Sequence, residues 1–505
     1  MSARTSRPRV ALLTEGTYPF VVGGVSTWCH QVVTGLPEFD FELVAVTSPE
    51  LEEAVFRLPP NARVGAHLQL WGPRAPRRAP GAPRAPRARR PQLGAELLRG
   101  LLGWDVDPLD VVPALVWCRQ HPERVVPTFR AAATWTAFLA ALEELAAEHH
   151  PDAGEVPPLD VRHALELYAT TSWLARTAAE ATPDADVSLV TAAGWAVLPA
   201  VVDKALTGRP VLLSEHGVYV REAYLAAARS SDGPAQRFTA TRLARGLARL
   251  TYAVADVVSP VTAANAAWEE RLGAAPGRIV PVPNGVPAPG EPAPAPRTCT
   301  VVSVGRIDPL KDVATMLRVA AEVRRRVPGA RFLHYGPVPP GQEAYARGCR
   351  ELHAALGLEG AFEFRGSTSD PTGVVRDADV VLMTSISEGF PMAVLEALSQ
   401  ARPVVTTHVG GVLEAVLGAG VTAAPGDVAG LADAVSTLLR DPELAERLGR
   451  RGHARVRRNF PQQRCLDGYR LLLGELVGAR AAVPVPAAAA GPRELVGAGA
   501  TGGAS

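Results

Sequence analysis

Short apolar runs alternate with helical stretches on both sides of one proline-dense break, and this alternation constrains the fold most. The break is GVPAPGEPAPAPR, residues 285–297. Before it, runs at 9–14, 41–47, 187–191, 210–214, 256–259 and 279–282 read as buried strands. After it the pattern recurs at 298–304, 331–335, 361–364, 379–384, 403–406 and 421–424, with helical segments such as 313–326 and 431–439 between. Strands separated by helices pair in parallel through crossovers, so each side of the break is expected to form its own parallel sheet. The predicted fold class is α/β, and 505 residues suffice for two to three domains. The expected division is an N-terminal domain at 1–284, a linker at 285–297 and a C-terminal domain at 298–475. Residues 99–150 are helical in pattern and interrupt the first domain. Ligands of such sheets bind outside the carboxyl ends of the strands, so functional residues belong in the loops just after them.

Composition narrows the function classes. Lys and Arg total 52 against 51 acidic residues, a net charge of +1, which argues against a general polyanion binder and against nucleic acid as a partner. Only Lys204 and Lys311 are lysines. The Arg and Ala richness therefore reflects background bias, and a lysine is the more informative residue. Residues 72–91 hold seven Arg, six Pro, five Ala and two Gly with no acid, and are expected to be an extended, disordered loop. The Ala/Gly/Pro-rich tail at 481–505 is expected to be disordered as well. Cys29, Cys118, Cys299, Cys349 and Cys465 are odd in number and include no C-x-x-C, which argues against a disulfide framework or zinc site and for a reducing cytosol. The longest nearly uncharged run, 187–202, is shorter than the roughly 20 apolar residues of a membrane span and reads as a strand leading into a helix. A soluble, cytoplasmic protein is expected.

Four loops can carry chemistry. In SISEGFPMAVLEAL, 385–398, Glu388 sits in a loop after a strand and Glu396 about one turn into a helix. Two carboxylates at different depths suit two sets of hydroxyls on one elongated ligand, while the N–H groups of Gly389 and Phe390, ahead of Pro391, can hold phosphate oxygens. Read alone, the carboxylate pair is as easily two surface glutamates. In SVGRIDPLKDVATML, 303–317, Arg306 and Lys311 can converge on one anion across a turn, as a diphosphate leaving group requires. In TEGTYPFVVGGVSTW, 14–28, Glu15 ends a strand, and Gly23 and Gly24 let backbone approach a ligand. The loop has no G-x-G-x-x-G and does not indicate a dinucleotide site. In LLSEHGVYVRE, 212–222, His216 lies at a strand end, where it can bond a sugar hydroxyl or orient an acceptor. His149 and His150 read as a solvated pair. D-x-D occurs at Asp105/Asp107, Asp184/Asp186 and Asp377/Asp379; three copies look like chance, and no metal site is expected.

In this order and spacing the motifs, with PNGV at 283–286, resemble the family 4 retaining glycosyltransferases of GT-B fold, and among them the PelF-type exopolysaccharide enzymes. The resemblance covers roughly residues 9–66 and 160–475. It implies two Rossmann-like domains facing a cleft, with a UDP-sugar donor on the second and a saccharide acceptor on the first. Arg306 and Lys311 would neutralise the diphosphate, Glu388 would contact the hexose and Glu396 the ribose. Gly23 and Gly24 would approach the phosphates from the opposite lobe, and Gly336 would lie near the base. Gly389, Phe390 and Pro391 would complete the donor site. His216 would stand by the sugar, with Glu15, Trp28, Tyr219, Arg221 and Glu222 on the acceptor side. The resemblance further implies UDP-glucose as co-substrate, no metal or other cofactor, and a membrane polysaccharide synthesis or export complex as partner at the inner face of the membrane. The rival readings are transfer to a small-molecule or lipid acceptor, a GT-B-fold sugar-nucleotide epimerase, and a non-catalytic nucleotide-sugar sensor.

Overall fold

The structure is a computed structural model that describes residues 7–48, 53–71, 90–148, 156–230, 232–288 and 290–482. The Arg/Pro-rich stretch 72–89, His149, His150 and the tail from 483 lie outside the described residues.

Two six-stranded parallel sheets carry the fold. The first comprises β1 (Arg9–Glu15), β2 (Asp40–Thr47), β3 (Ala62–Gln69), β4 (Val187–Val190), β5 (Val211–Glu215) and β6 (Val257–Pro260). The second comprises β7 (Thr300–Val304), β8 (Arg331–Tyr335), β9 (Phe362–Gly366), β10 (Val380–Met383), β11 (Val404–Thr407) and β12 (Gly420–Ala423). Their orders are β3-β2-β1-β4-β5-β6 and β12-β11-β10-β7-β8-β9. Both are the doubly wound arrangement, with strand order reversing between β1 and β4 and again between β7 and β10. The central strands are continuous Val/Leu runs because helices cover both faces, as the fully buried β4 and β10 illustrate. The two-sheet α/β class expected from the alternation is the observed one.

Four expectations need correction. No strand is predicted over Ala62–Gln69, yet β3 pairs with β2 along its length. It is a largely exposed edge strand, so it lacks the apolar run that marks buried strands. Residues 279–282 are not a strand. Val280 and Val282 donate to the Val258 and Pro260 carbonyls of β6, but Pro260 has no N–H to donate in return, leaving one isolated bridge, Val258 to Ile279. The helical insertion starts earlier than residue 99, at helix Leu93–Leu102, and further helices run to Ala179 before β4. Finally, the helix Gln462–Ala482, assigned by sequence to the second domain, packs on the first. Its Leu466, Tyr469, Leu472, Leu473 and Leu476 share a core with Val10, Leu12, Trp28 and Val33.

Lys204, which no motif surrounds, has a structural task. Its ammonium donates to the Val254 carbonyl at 2.6 Å and pairs with Asp256 at 2.7 Å, tying the helix Val197–Thr207 to the approach to β6. Two D-x-D pairs are structural too. Asp379 accepts from the backbone of Arg297, Thr298 and Thr300, while Asp184 and Asp186 both hold Arg9. All five cysteines are free. No single helix among the described residues is long and apolar enough to cross a membrane. One bent helix pair, Pro122–Phe129 with Ala132–Ala146, passes on composition, but its Val125, Phe138, Ala141 and Leu145 lie in the first domain's core.

Candidate active site

The cleft is built where both sheets reverse their order. In the second domain the loop after β7 is wound tightly by Asp308, whose carboxylate accepts from the Leu310 and Lys311 backbone at 2.9 and 3.1 Å and from Arg306 Nε at 3.1 Å. Asp312 then caps the helix Val313–Arg326. The loop after β10 is stitched to it: Thr384 donates to the carbonyls of Lys311 and Asp312, and Ile386 N–H to that of Leu310. The stitching brings the Lys311 ammonium to 2.6 Å from Glu388 Oε1. Arg306 remains half exposed, ready for a ligand. Pro391 takes the N-cap position rather than the first turn of the helix Met392–Ser399. The N–H groups of Gly389 and Phe390 donate to nothing among the described residues. Glu396 also has no side-chain partner there, and burial pushes its carboxyl upward. A partly buried, unpartnered carboxylate stands ready to accept ligand hydroxyls.

The first domain presents the loops after β1, β4 and β5. Glu15 Oε2 accepts from Ala196 N–H at 3.1 Å and Oε1 from Tyr219 OH at 3.2 Å, bridging three strand ends. Burial raises this carboxyl, and those hydrogen bonds oppose the rise. Gly194 is required at this crossing, since a Cβ there would lie 2.5 Å from Glu15 Oε2 and 2.7 Å from the Tyr219 ring. Behind the loop, Glu215 accepts from Tyr219 N–H at 3.0 Å and Tyr252 OH at 2.7 Å. It adjoins the buried Glu269, whose carboxyl is pushed up to about 10 by burial and by Glu215.

The lobes touch through these loops. Arg221 donates to the Glu388 carbonyl at 3.0 Å, and Asn284 to the Phe390 carbonyl at 3.2 Å. Glu222 opens to the cleft, where Arg221, Arg306, Lys311 and Glu388 all act on it electrostatically. Burial raises its carboxyl, with Arg221 the strongest opposing influence. Three cations thus meet two carboxylates, an excess that suits an anionic ligand. Gly24 faces Met392 across the cleft, its Cβ position 4.0 Å from Met392 Cγ, so two helix N-termini approach each other.

His216 is nearly buried between the lobes. Its ring lies 4.4 Å from that of Trp28, and Nε2 is 3.2 Å from Ser214 Oγ, which in turn lies 2.6 Å from Tyr469 OH. Burial holds the imidazole down to about 3, so it is neutral at working pH and cannot serve as a phosphate cation. The sign follows. Unfolded His216 ionises near 6.5, so the unfolded chain binds a proton that the folded chain refuses as pH falls from 6.5 towards 3. The stability advantage of the wild type over His216→Gln should shrink by about 2 kcal/mol between pH 7 and pH 5 in urea unfolding. A pH-independent difference would contradict the neutral imidazole.

Trp28, expected on the acceptor side, is not in the cleft. It is fully buried, packed between His216 and Tyr469. Gly336 lies behind the β7 loop, where a Cβ would meet the Gly305 carbonyl at 1.8 Å. The sequence reading missed Asn284, Gly194, Asp308 and the Glu215–Glu269 pair. Asn284, Asp308 and Glu215 stand inside the motif loops, Asp308 shaping its own turn, while Gly194 and Glu269 lie outside every motif and matter through contacts distant in sequence.

The family model described as "Domain of unknown function (DUF3492)" matches residues 8–277, more than half of the chain. The chain belongs to this family. The model described as "Glycosyl transferases group 1" matches residues 298–441, within the second domain. Among curated relatives, the trehalose synthase of Rubrobacter xylanophilus is 33% identical over 184 residues, 35% of this DUF3492 chain and 44% of that protein. The D-inositol 3-phosphate glycosyltransferase of Nocardia farcinica is 34% identical over 206 residues, 39% and 44% respectively. This chain therefore spans less than half the length of either relative. The fold matches the sucrose-phosphate synthase of Thermosynechococcus elongatus at 17% identity with a TM-score of 0.61, over 94% of this chain and 100% of that one. That likeness identifies the two-domain GT-B architecture.

Proposed function

We propose that this protein transfers a hexose from a UDP-sugar, UDP-glucose first among them, to a saccharide acceptor with retention of configuration, as a PelF-type enzyme of exopolysaccharide synthesis at the cytoplasmic face of the membrane. The observation that carries the reading is the Lys311–Glu388 pair, 2.6 Å apart, between the two loops at the switch point of the second sheet. One member can take a phosphate and the other a sugar hydroxyl, at the place where such sheets bind nucleotides. The family match of this domain and the two curated relatives, each acting on sugars by name, support it.

The chemistry follows from charge. As the glycosidic bond to the diphosphate breaks, negative charge collects on the leaving oxygens and positive charge on the sugar ring. Lys311, Arg306 and the free amides of Gly389 and Phe390 are fixed before the reaction and act most strongly on the separated state. Glu388 would hold the sugar hydroxyls and Glu396 the ribose. The acceptor would attack from the face the diphosphate leaves, a leaving oxygen taking its proton, so no protein nucleophile is needed. Neutral His216 would orient the sugar or acceptor by hydrogen bonding. Contacts between the lobes would exclude water that would otherwise hydrolyse the donor.

A thermal-shift and hydrolysis screen of UDP-, GDP- and ADP-hexoses tests the reading. UDP-glucose should give the largest shift and slow release of UDP, and EDTA should leave both unchanged because protein cations carry the leaving-group charge. No response to any nucleotide sugar would refute the proposal, and loss of turnover with chelator would refute its metal independence.

A further inference from the structure

Beside the cleft, three tryptophans gather from distant parts of the first domain. Trp71 follows β3, Trp195 follows β4, and Trp173 lies on the helix Val161–Ala179. The Trp71 ring centroid is 5.5 Å from that of Trp173, tilted by 55°, and 6.2 Å from that of Trp195, at 68°. The Arg176 guanidinium covers the Trp173 ring at 3.7 Å. Trp71 is 51% exposed. Its backbone is left-handed, φ 63°, which a bulky residue rarely adopts.

The cluster is continuous with the candidate acceptor side. Trp195 immediately precedes Ala196, whose N–H is held at 3.1 Å by Glu15, the carboxylate that also binds Tyr219. Both Trp71 and Trp195 emerge at the carboxyl edge of the first sheet, the edge that faces the second domain. Tilted rings form a stepped apolar wall, with the Arg176 guanidinium stacked on Trp173 and the Glu15 carboxylate held beside Trp195. A pyranose ring presents the complementary surface: an axial C–H face for the aromatic wall and an equatorial belt of hydroxyls for the charged groups. A protein partner would be expected to cover a broader apolar area, and a nucleobase belongs with the diphosphate clamp on the other lobe.

We propose that Trp71 and Trp195, backed by Trp173, form a stacking subsite for a sugar unit of an oligosaccharide acceptor. This deepens, and rests on, the reading of the chain as a glycosyltransferase with a saccharide acceptor. Trp71 is a binding residue at this subsite and takes no part in donor cleavage. The wall lies outside the donor clamp, so it sets acceptor affinity and length preference rather than the rate of bond breaking.

The test is calorimetric titration of the full chain with maltohexaose, cellohexaose and chitohexaose, alongside thermal shift with UDP-glucose. The wild type should bind at least one hexasaccharide. Trp71→Ala should weaken that binding about tenfold or more, as loss of one stacked ring does elsewhere, and Trp71→Phe should largely retain it. Both variants should respond to UDP-glucose like the wild type. The subsite is overturned if no hexasaccharide binds, if Trp71→Ala binds as well as the wild type, or if Trp71→Ala loses UDP-glucose, which would make the wall a nucleobase platform. Failure of the underlying reading is separately visible as a wild type that responds to no nucleotide sugar.

Discussion

Lys311→Ala is expected to lower hexose transfer about a hundredfold or more while the protein stays folded, because it removes a fixed charge that acts mainly on the separated leaving group. Lys311 is one of two lysines in the chain, and the other is engaged far from the cleft with Asp256 and the Val254 carbonyl. The Lys311 ammonium is one-quarter exposed and sits against a nearly buried Glu388, so its removal also leaves that carboxylate without its cation. Glu388→Gln tests the other half of the pair: it keeps the shape and should weaken sugar orientation, with a smaller effect on nucleotide affinity. Initial rates of UDP release with and without acceptor, beside circular dichroism and melting temperature, measure both. Near-wild-type turnover in a folded Lys311→Ala protein would remove the diphosphate clamp from the mechanism.

Gly389→Ala should also lower transfer, for a different reason. A Cβ at Gly389 would lie 1.5 Å from the His216 carbonyl oxygen and 3.4 Å from Gly217 Cα, both in the other domain. No rotamer change relieves a clash between Cβ and backbone, so the lobes must move apart. Separation would draw Arg221 from the Glu388 carbonyl and open the cleft to water. The expected result is a loss of transfer of about tenfold or more, in line with the sensitivity of catalysis to misplacements of roughly 1 Å. Each domain should keep its secondary structure, while small-angle scattering shows a larger radius of gyration. Wild-type activity with an unchanged scattering profile would show that this contact is not needed in the working state.

The two sheets were legible because buried parallel strands must be continuous apolar runs, and eleven of the twelve observed strands overlap such runs on the two sides of the proline-dense break; β3, an exposed edge strand, does not carry that signature. The charged loops were legible because strand ends place them and chemistry restricts their residues: Lys311 and Glu388 meet, and Arg306 stands beside them, held by Asp308. Trp28 and the last helix were not. An indole near a glycine-rich loop reads the same whether it faces a sugar or a core, and only the arrival of Tyr469 from the far end of the chain decides it. Likewise Glu269 has no neighbour in sequence that marks it. Its meaning comes from Glu215, brought beside it by the pairing of β5 with β6.

The return of the last helix has a mechanical consequence. The chain passes between the lobes twice, once through Gly285 and Val286 and once through Phe460–Gln462, and the two passages are hydrogen-bonded side by side: Val286 N–H to the Phe460 carbonyl and Gln462 N–H to the Val286 carbonyl. Two adjacent fixed points permit swing but resist twist and sliding. Gly285 fits because a Cβ would strike the Gln462 backbone at 2.7 Å. The lobes are thus coupled like the leaves of a door on a single pin. Because Tyr469, just beyond that pin, reaches Ser214 beneath His216, the door's own mounting also positions a side chain in its frame.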